Sequence, residues 1–245
     1  MRIAVLADIH ANAPALRAVL AEIDRDPVEA IVVGGDVLGG PLVEATFKLL
    51  DARPERLHWV AGNCERETVV VYDGAPAADD PAGRAAAWSA RAIDRRRRDA
   101  IAGWPISLAL DGVRFCHGSP RSDDEILTRV TPEDVLREAL ASAEEPLVVG
   151  GHTHQQMVRP LGDGLTYANA GSVGMPYEGR PGAFWMLVED GTAVPRETSY
   201  DLSAALGELR ASGFPDVEDQ LSDSLINPAD PEEVAEFFER SARQT

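Results

Sequence analysis

Five short segments of the chain carry side chains that are able to bind metal ions. These segments are Asp8-Ile9-His10, Gly35-Asp36, Gly62-Asn63, His117-Gly118 and Gly151-His152-Thr153-His154. Only His58 of the five histidines lies outside them, and we interpret it as an ordinary structural histidine. Carboxylate, amide oxygen and imidazole ligands together suit borderline divalent metals such as Mn, Fe and Zn. Seven such side chains exceed the needs of one ion, so the sequence predicts a two-metal site.

Each segment follows a short apolar run that is typical of a buried strand. The runs cover residues 3–7, 31–33, 57–61, 113–116 and 147–149. Ligands placed just past the carboxyl ends of neighbouring strands converge on one crevice in an open α/β sheet. Within Asp8-x-His10 and His152-x-His154, an extended backbone would direct both side chains to the same face. We therefore expect all five segments to meet at one end of a sheet.

Taken singly, each segment has an ordinary explanation, since a Gly-Asp pair is usually a turn and a lone histidine is usually hydrogen bonded. The order of all five, each after an apolar run, is what indicates a function. In this order the chain resembles the calcineurin-like metallophosphoesterases, whose pattern is D-x-H, G-D, G-N-H/D, a lone H and G-H-x-H. The resemblance implies a four-layer α/β/β/α sandwich.

One residue departs from the family pattern. Cys64 stands where many members have the histidine of Gly-Asn-His. The cysteine, and Asn12 just after the first segment, resemble the YfcE-like phosphodiesterase branch. Residues 169–173 are similar to a further loop of the family. The resemblance predicts a metallophosphoesterase domain over residues 1–199, followed by a helical C-terminal extension over 200–245, packed on that domain or on a partner subunit.

The resemblance also implies a role for each ligand. One metal ion is expected at Asp8, His10 and His154, the other at Asn63, His117 and His152, and Asp36 is expected to bridge them. The cofactors would be two divalent ions, with Mn expected and Fe, Zn or Ni as alternatives. Two cations would make a bridging hydroxide available for attack on phosphorus.

The catalytic residues predicted on this basis are Asp36, Asn63 and Cys64. In relatives with histidine at the position of Cys64, the imidazole is placed to protonate the leaving oxygen or to stabilise the transition state. A thiol near two cations would tend toward thiolate, which donates no proton. An equally open alternative is that Cys64 only fills space. We expect two free thiols, with Cys116 facing the core.

Three polar residues beside the ligand segments are candidates for substrate binding: Asn12, Arg66 and Arg121. An arginine fork suits phosphate oxygens. The alternatives are a helix cap at Asn12 and loop ion pairs of the two arginines with nearby acidic residues.

Composition narrows the class of substrate. The chain of 245 residues has a formal net charge of −18, which argues against long nucleic acid and favours a small phosphoester. The one basic run, residues 95–98, predicts a solvated helix face or a subunit contact. No stretch reaches membrane-spanning length and no signal peptide is apparent, so we expect a cytoplasmic protein that does not bind membranes, with a homo-oligomer possible.

Other patterns predict the elements around the site. A βαβ unit is expected over residues 3–33, with Asn12 as helix cap. A loop over 72–83 is followed by one helix over 85–102, and Asp111-Gly112 predicts a hairpin turn. Thr131 is expected to cap another helix. In the tail, Asp230-Pro231 predicts a helix start, before Phe237 and Phe238 form part of an apolar stripe.

Two classes of function fit these observations. The first is a metal-dependent enzyme that hydrolyses small phosphodiesters, with phosphomonoesters as an alternative substrate. The second is a non-catalytic, metal-binding interaction module of the same fold. Loss of catalysis should remove ligands, and all seven are present, so we favour the enzyme.

Overall fold

Two five-stranded sheets form the centre of the computed structural model, which describes residues 1–53 and 56–242. The first sheet has the order β10-β9-β1-β2-β3 and the second the order β4-β5-β6-β8-β7. The strands are β1 Arg2–Leu6, β2 Ala30–Gly34, β3 Arg56–Val60, β4 Ser107–Leu110, β5 Val113–Cys116, β6 Leu147–Gly150, β7 Gln156–Pro160, β8 Thr166–Ala170, β9 Ala183–Glu189 and β10 Thr192–Thr198.

Helices cover the outer faces of both sheets. They are α1 Ala13–Arg25, α2 Val43–Asp51, α3 Asn63–Tyr72, α4 Pro81–Ala92, α5 Arg95–Ile101, α6 Glu133–Ala139, α7 Leu202–Arg210, α8 Val217–Leu221, a π-helical turn at Ser222–Ile226, and α9 Pro231–Ala242. No helix within the described ranges is both long and apolar enough to cross a membrane.

Three apolar clusters define the layers. One lies between the sheets and includes Val5 and Phe115. A second joins the first sheet to α1 and α2, and a third joins the second sheet to α6. The order of layers is therefore helix, sheet, sheet, helix, which confirms the predicted four-layer α/β/β/α sandwich.

The first βαβ unit forms as its sequence predicts. Asn12 caps α1 by accepting a hydrogen bond from the Ala15 N–H at 3.1 Å, and Pro14 stands in the first turn, where no N–H is needed. The apolar face of α1 lies on the sheet, and β1 pairs in parallel with β2. The predicted hairpin is also present, since β4 and β5 pair antiparallel on either side of Asp111 and Gly112. Both turn residues have the positive φ that a two-residue turn of this kind requires.

Two helix predictions were wrong. The single helix expected over residues 85–102 is two helices, since Ile93 is extended and Asp94 caps α5; α4 starts earlier, where Asp80 accepts from the Gly83 N–H. Thr131 does not cap α6, whose cap position is Pro132.

The basic run lies on α5. Arg95, Arg97 and Arg98 form ion pairs with Asp99, Asp51 and Asp73. The run is therefore largely neutralised by acidic neighbours, in agreement with a solvated helix face.

The C-terminal helices contact the sandwich at several points. Arg17 of α1 pairs with Glu208 of α7 at 3.0 Å. On the opposite side, the buried Glu239 of α9 accepts hydrogen bonds from the hydroxyls of Thr128 and Thr131. Asp230 accepts from the first free N–H groups of α9, as its sequence predicts. The segment is thus attached at both of its ends.

Candidate metal centre

The five ligand segments lie at one end of the sandwich, where five parallel-paired strands end. β1 and β2 precede Asp8 and Asp36, and β3 precedes α3, which begins at Asn63. In the second sheet, β5 ends directly before His117 and β6 directly before the last segment. The rule that ligands follow the carboxyl ends of parallel strands therefore places residues from both sheets around one crevice.

The backbone of the ligand segments is not extended. Five ligands have φ between +45° and +69°, in the left-handed region: Asp8, His10, Asp36, His152 and His154. The prediction that residues two apart point to one face of an extended segment was therefore wrong. The chain instead turns sharply at each strand end, and the side chains converge because the turns do.

A first group of ligands comprises Asp8, His10 and His154. The Nε2 atoms of His10 and His154 are 3.1 Å apart. Asp8 Oδ1 lies 3.1 Å from His154 Nε2 and 3.9 Å from His10 Nε2. Three donor atoms of this kind at such distances are suited to one divalent ion.

A second group comprises Asp36, His117 and His152. Asp36 Oδ2 is 3.3 Å from His117 Nε2 and 3.9 Å from His10 Nε2. The carboxylate of Asp36 is thus within reach of both groups. The rings of His117 and His152 have centroids 5.2 Å apart.

Hydrogen bonds to the protein orient two of the imidazoles. His117 Nδ1 lies 2.8 Å from the Gly34 carbonyl oxygen, and His154 Nδ1 lies 2.7 Å from that of Met175. A carbonyl at Nδ1 holds the proton there, so that Nε2 can offer its lone pair to a metal ion, which is a usual arrangement for histidine bound to metal. Within the described residues, Asp8 Oδ1, His117 Nε2 and Asn63 Oδ1 are buried and form no hydrogen bond. Three buried atoms of ligand type therefore form no hydrogen bond, although Asp8 Oδ1 lies beside His154 and His117 Nε2 lies beside Asp36.

The electrostatics of the crevice favour a positive charge. Burial alone would lower the pKa of His117, but the Asp36 and Asp8 carboxylates outweigh it and raise that pKa to about 10. Burial, and then the neighbouring imidazoles, lower the pKa of His10 and of His152 to about 4. The imidazoles of His10 and His152 are thus held neutral, while the two carboxylates attract a cation.

Glu65 has a structural role that the sequence analysis missed. Its Oε2 accepts from the N–H groups of Asp36 and Gly62 at 2.7 and 2.8 Å. Its Oε1 accepts from Val37 and Leu38 at 3.0 and 3.1 Å. Burial and the Asp36 carboxylate raise the pKa of Glu65 to about 7, and the hydrogen bonds from the Gly62 and Leu38 N–H groups act against this shift.

One side chain therefore joins the loop of Asp36 to the start of α3. The available signal was its place three residues after Gly62, where a glutamate commonly reaches back to the first N–H of a helix.

Cys64 contacts Asp36 twice. The Cys64 N–H donates to Asp36 Oδ1 at 2.9 Å, and the thiol donates to Oδ2 at 3.2 Å. Burial, followed by the charges of Asp36 and Glu65, raises the pKa of the thiol well above its usual value. The surrounding protein groups thus favour the neutral thiol, and the thiolate expected beside two bound cations stays a prediction. Cys116 is also free and faces the core, as predicted.

The three candidate substrate-binding residues already have partners within the protein. Besides capping α1, Asn12 donates to the Gly174 carbonyl at 2.9 Å. Arg66 binds Asp123 at 2.7 Å and Asp124 at 3.0 Å. Arg121 binds Glu125 and Glu138 on the surface. The geometry agrees with the alternative interpretations, a helix cap at Asn12 and ion pairs at the two arginines. Contact of these three residues with a substrate phosphate stays a prediction.

Residues 169–173, at the end of β8 and in the loop after it, form hydrogen bonds with the backbone of two ligand segments. Ser172 donates from its hydroxyl to the Asp8 carbonyl at 2.7 Å. Asn169 donates to the Gly151 carbonyl at 2.5 Å and to the Thr153 hydroxyl at 3.1 Å. The loop thereby joins the first ligand segment to the last.

The comparisons with known proteins agree with this geometry. Residues 1–191 match the family model of the calcineurin-like phosphoesterase superfamily domain, and the chain belongs to that superfamily. It is therefore a member of a metal-dependent family of phosphoesterases, and the described residues include candidate metal ligands. No curated protein matches the chain.

The solved structures that share the fold include two with TM-scores above 0.7. A metallophosphoesterase from Sphaerobacter thermophilus is 23% identical, with a TM-score of 0.71, over 91% of this chain and 99% of that chain. The hypothetical protein PH1004 from Pyrococcus horikoshii OT3 is 18% identical, with a TM-score of 0.76, over 91% and 96%. YfcE, a phosphoesterase from E. coli, is 20% identical with a TM-score of 0.48, over 82% and 100%.

Proposed function

We propose that this protein is a metal-dependent phosphodiesterase that hydrolyses small phosphodiesters at a two-metal site. The observation that carries the proposal is the pair of ligand groups, one around Asp8 and one around His117, with the Asp36 carboxylate within reach of both. Separate ligand sets with a shared carboxylate are the arrangement expected of a two-metal hydrolase.

The donor set fits two divalent ions. The first group would hold one ion, and Asp36, His117 and His152, together with the buried amide oxygen of Asn63, would hold the other. Nitrogen and oxygen donors of this kind suit Mn, Fe, Zn or Ni, and we expect Mn. When bound, two such ions would lower the pKa of a water between them and neutralise charge on the phosphoryl oxygens.

The protein's own residues would keep the site in shape. The N–H and the thiol of Cys64 each donate a hydrogen bond to one oxygen of the Asp36 carboxylate, and these two bonds fix its orientation. Glu65 fixes the backbone beneath Asp36, and the Gly34 and Met175 carbonyls fix two imidazole rings. Rigid ligands hold a substrate phosphate in a reactive orientation.

The preference for esters whose leaving group needs little protonation rests on Cys64. Its thiol proton already bonds to Asp36, and its pKa is well above the usual value, so it is a poor acid for a leaving alcohol. Esters whose leaving group needs little protonation, such as aryl phosphodiesters, should therefore react faster than alkyl phosphomonoesters.

Metal content and turnover, measured on the same preparation, test the proposal. Protein reconstituted with Mn should bind about two ions per chain and hydrolyse bis(para-nitrophenyl) phosphate faster than para-nitrophenyl phosphate. Asp36→Ala should lose most activity, whereas His58→Ala, which removes a histidine outside the site, should retain it. Two bound ions without turnover of any ester would instead favour the non-catalytic module, and faster monoester turnover would favour a phosphomonoesterase.

The cytoplasmic location, the possible homo-oligomer and the domain boundary at residue 199 stay predictions. The family model ends near that boundary, at residue 191.

A further inference from the structure

A cavity of about 320 Å³ opens beside the candidate metal centre. His10 and Cys64 form its inner end, so it is continuous with the site that would hold the phosphate. Its walls are mainly apolar and come from α4, the loop at Met175 and the C-terminal extension. The apolar lining residues are Pro81, Ala82, Ala85, Ala86, Met175 and Phe214. Small-molecule sites typically start at about 300 Å³, so the cavity is large enough for a ring or a short alkyl chain.

The C-terminal extension forms one wall, and specific contacts hold that wall in place. Phe214 is buried and packs edge-on against Trp88, with ring centroids 5.7 Å apart. Asp216 pairs with Arg84 of α4 at 2.8 Å. Gln220 donates to the Gly39 carbonyl at 3.0 Å. The extension is therefore tied both to α4 and to the loop after Asp36.

Gly39 keeps the inner end of the cavity open. Its φ is +77°, and a Cβ atom there would lie 2.8 Å from Cys64 Sγ and 3.3 Å from His10 Nδ1. Any larger residue would crowd the junction between cavity and metal centre.

The charges on the lining exclude anions. Its ionisable side chains other than His10 and Cys64 are Glu67, Asp216 and Asp219, and among the described lining residues there is no lysine or arginine. Arg84 neutralises Asp216, which leaves two carboxylates to repel a second anionic group on a substrate. A nucleoside polyphosphate or a phosphorylated sugar is therefore a poor occupant.

We propose that this cavity binds the esterified alcohol that stays on phosphorus when the other one leaves, and that this retained alcohol is an uncharged, apolar aryl or alkyl group. The inference rests on the proposed phosphodiesterase function and adds the class of substrate. It also gives the C-terminal extension a role, since Phe214 and Gln220 complete a specificity pocket that the sandwich alone would leave open.

Two diesters with the same leaving group test the pocket. They are bis(para-nitrophenyl) phosphate, whose second group is an apolar ring, and methyl para-nitrophenyl phosphate, whose second group is small. The Mn-loaded wild type should have the higher kcat/KM with the ring. Ala85→Phe, which fills the cavity, should lower the ratio of the two kcat/KM values at least about tenfold, the scale of discrimination by a hydrophobic pocket.

Further variants keep the test independent of folding. Ala82→Phe narrows the mouth from an exposed position and should lower the ratio in the same direction. Ala87→Phe is the control, because Ala87 lies on α4 but does not line the cavity; its ratio should stay that of the wild type. Asp219→Lys should raise kcat/KM for para-carboxyphenyl para-nitrophenyl phosphate relative to bis(para-nitrophenyl) phosphate, whose second group is uncharged.

The two proposals fail in different ways. If the wild type with two bound ions turns over neither diester, the phosphodiesterase function is wrong, and the pocket proposal falls with it. If the wild type is active on both diesters and Ala85→Phe and Ala82→Phe leave the ratio unchanged, only the pocket proposal is overturned. An equal loss with both diesters in these variants also overturns it, because that result would indicate general damage.

Discussion

Substitution of Glu65 by glutamine tests how the candidate metal centre is held together. Each carboxylate oxygen of Glu65 accepts two backbone N–H groups, from Asp36 and Gly62 on one side and from Val37 and Leu38 on the other. A glutamine keeps one such oxygen and turns an NH₂ group toward the other two donors. Those two buried N–H groups then lack an acceptor, at a cost of about 1–3 kcal/mol each.

We therefore expect Glu65→Gln to lower the free energy of unfolding by about 2–6 kcal/mol. That loss is a large part of the free energy of unfolding of a typical folded domain, which is about 5–15 kcal/mol. The loss should appear in urea unfolding of the metal-free protein, followed by circular dichroism, so that metal binding adds nothing to the stability. In the Mn-loaded protein kcat should also fall, because the backbone beneath Asp36 moves.

The control is Glu208→Gln, which removes an exposed carboxylate paired with Arg17. Such surface pairs contribute about 0–1 kcal/mol, so the control should be close to the wild type. A Glu65→Gln variant no less stable than this control would refute the assignment of four structural hydrogen bonds to Glu65. A destabilised variant with wild-type metal content and kcat would show that Glu65 supports the fold without positioning the ligands.

Three other perturbations follow from the site and the extension. Chelation of the metal ions should abolish turnover yet leave the circular dichroism spectrum largely unchanged, because the apolar cluster between the sheets contains none of the candidate ligands. Loss of secondary structure in the presence of chelator would contradict this prediction. Cys64→Ala should keep most diesterase activity, and Cys64→His should raise monoesterase relative to diesterase activity. A Cys64→Ala enzyme that is inactive with both ions bound would show that the thiol takes part in catalysis. Glu239→Ala should loosen the attachment of α9, because it removes the acceptor of the hydrogen bonds from two hydroxyls. Limited proteolysis should then cleave the chain near Pro231 faster than in the wild type, and an unchanged cleavage rate would count against this attachment.

Patterns that depend on neighbours in sequence predicted the fold well. The apolar runs gave the strands, and the ligand segments that follow them lie at one crevice because parallel strands share their carboxyl ends. The cap at Asn12 and the turn at Asp111 were also predictable, since each involves residues no more than three apart.

Features that depend on distant contacts were not predictable in the same way. Thr131 has the sequence of a helix cap, but its hydroxyl donates to Glu239, 108 residues away. The cavity wall at Phe214 arises only when the extension folds back onto α4. Glu65 is intermediate, because its bond to Gly62 is local whereas its bonds to residues 36–38 require two strands to be aligned first.

The left-handed backbone at the ligands has a consequence for protein engineering. Five of the seven candidate ligands occupy a conformation that glycine adopts more easily than any residue with a side chain. Substituting glycine there would relieve local strain while deleting the candidate metal-binding atom. Selection of variants by heat resistance alone, without metal or substrate present, would therefore tend to enrich losses of the active centre. A campaign to stabilise this protein should exclude these positions from its libraries, or include turnover among its selection criteria.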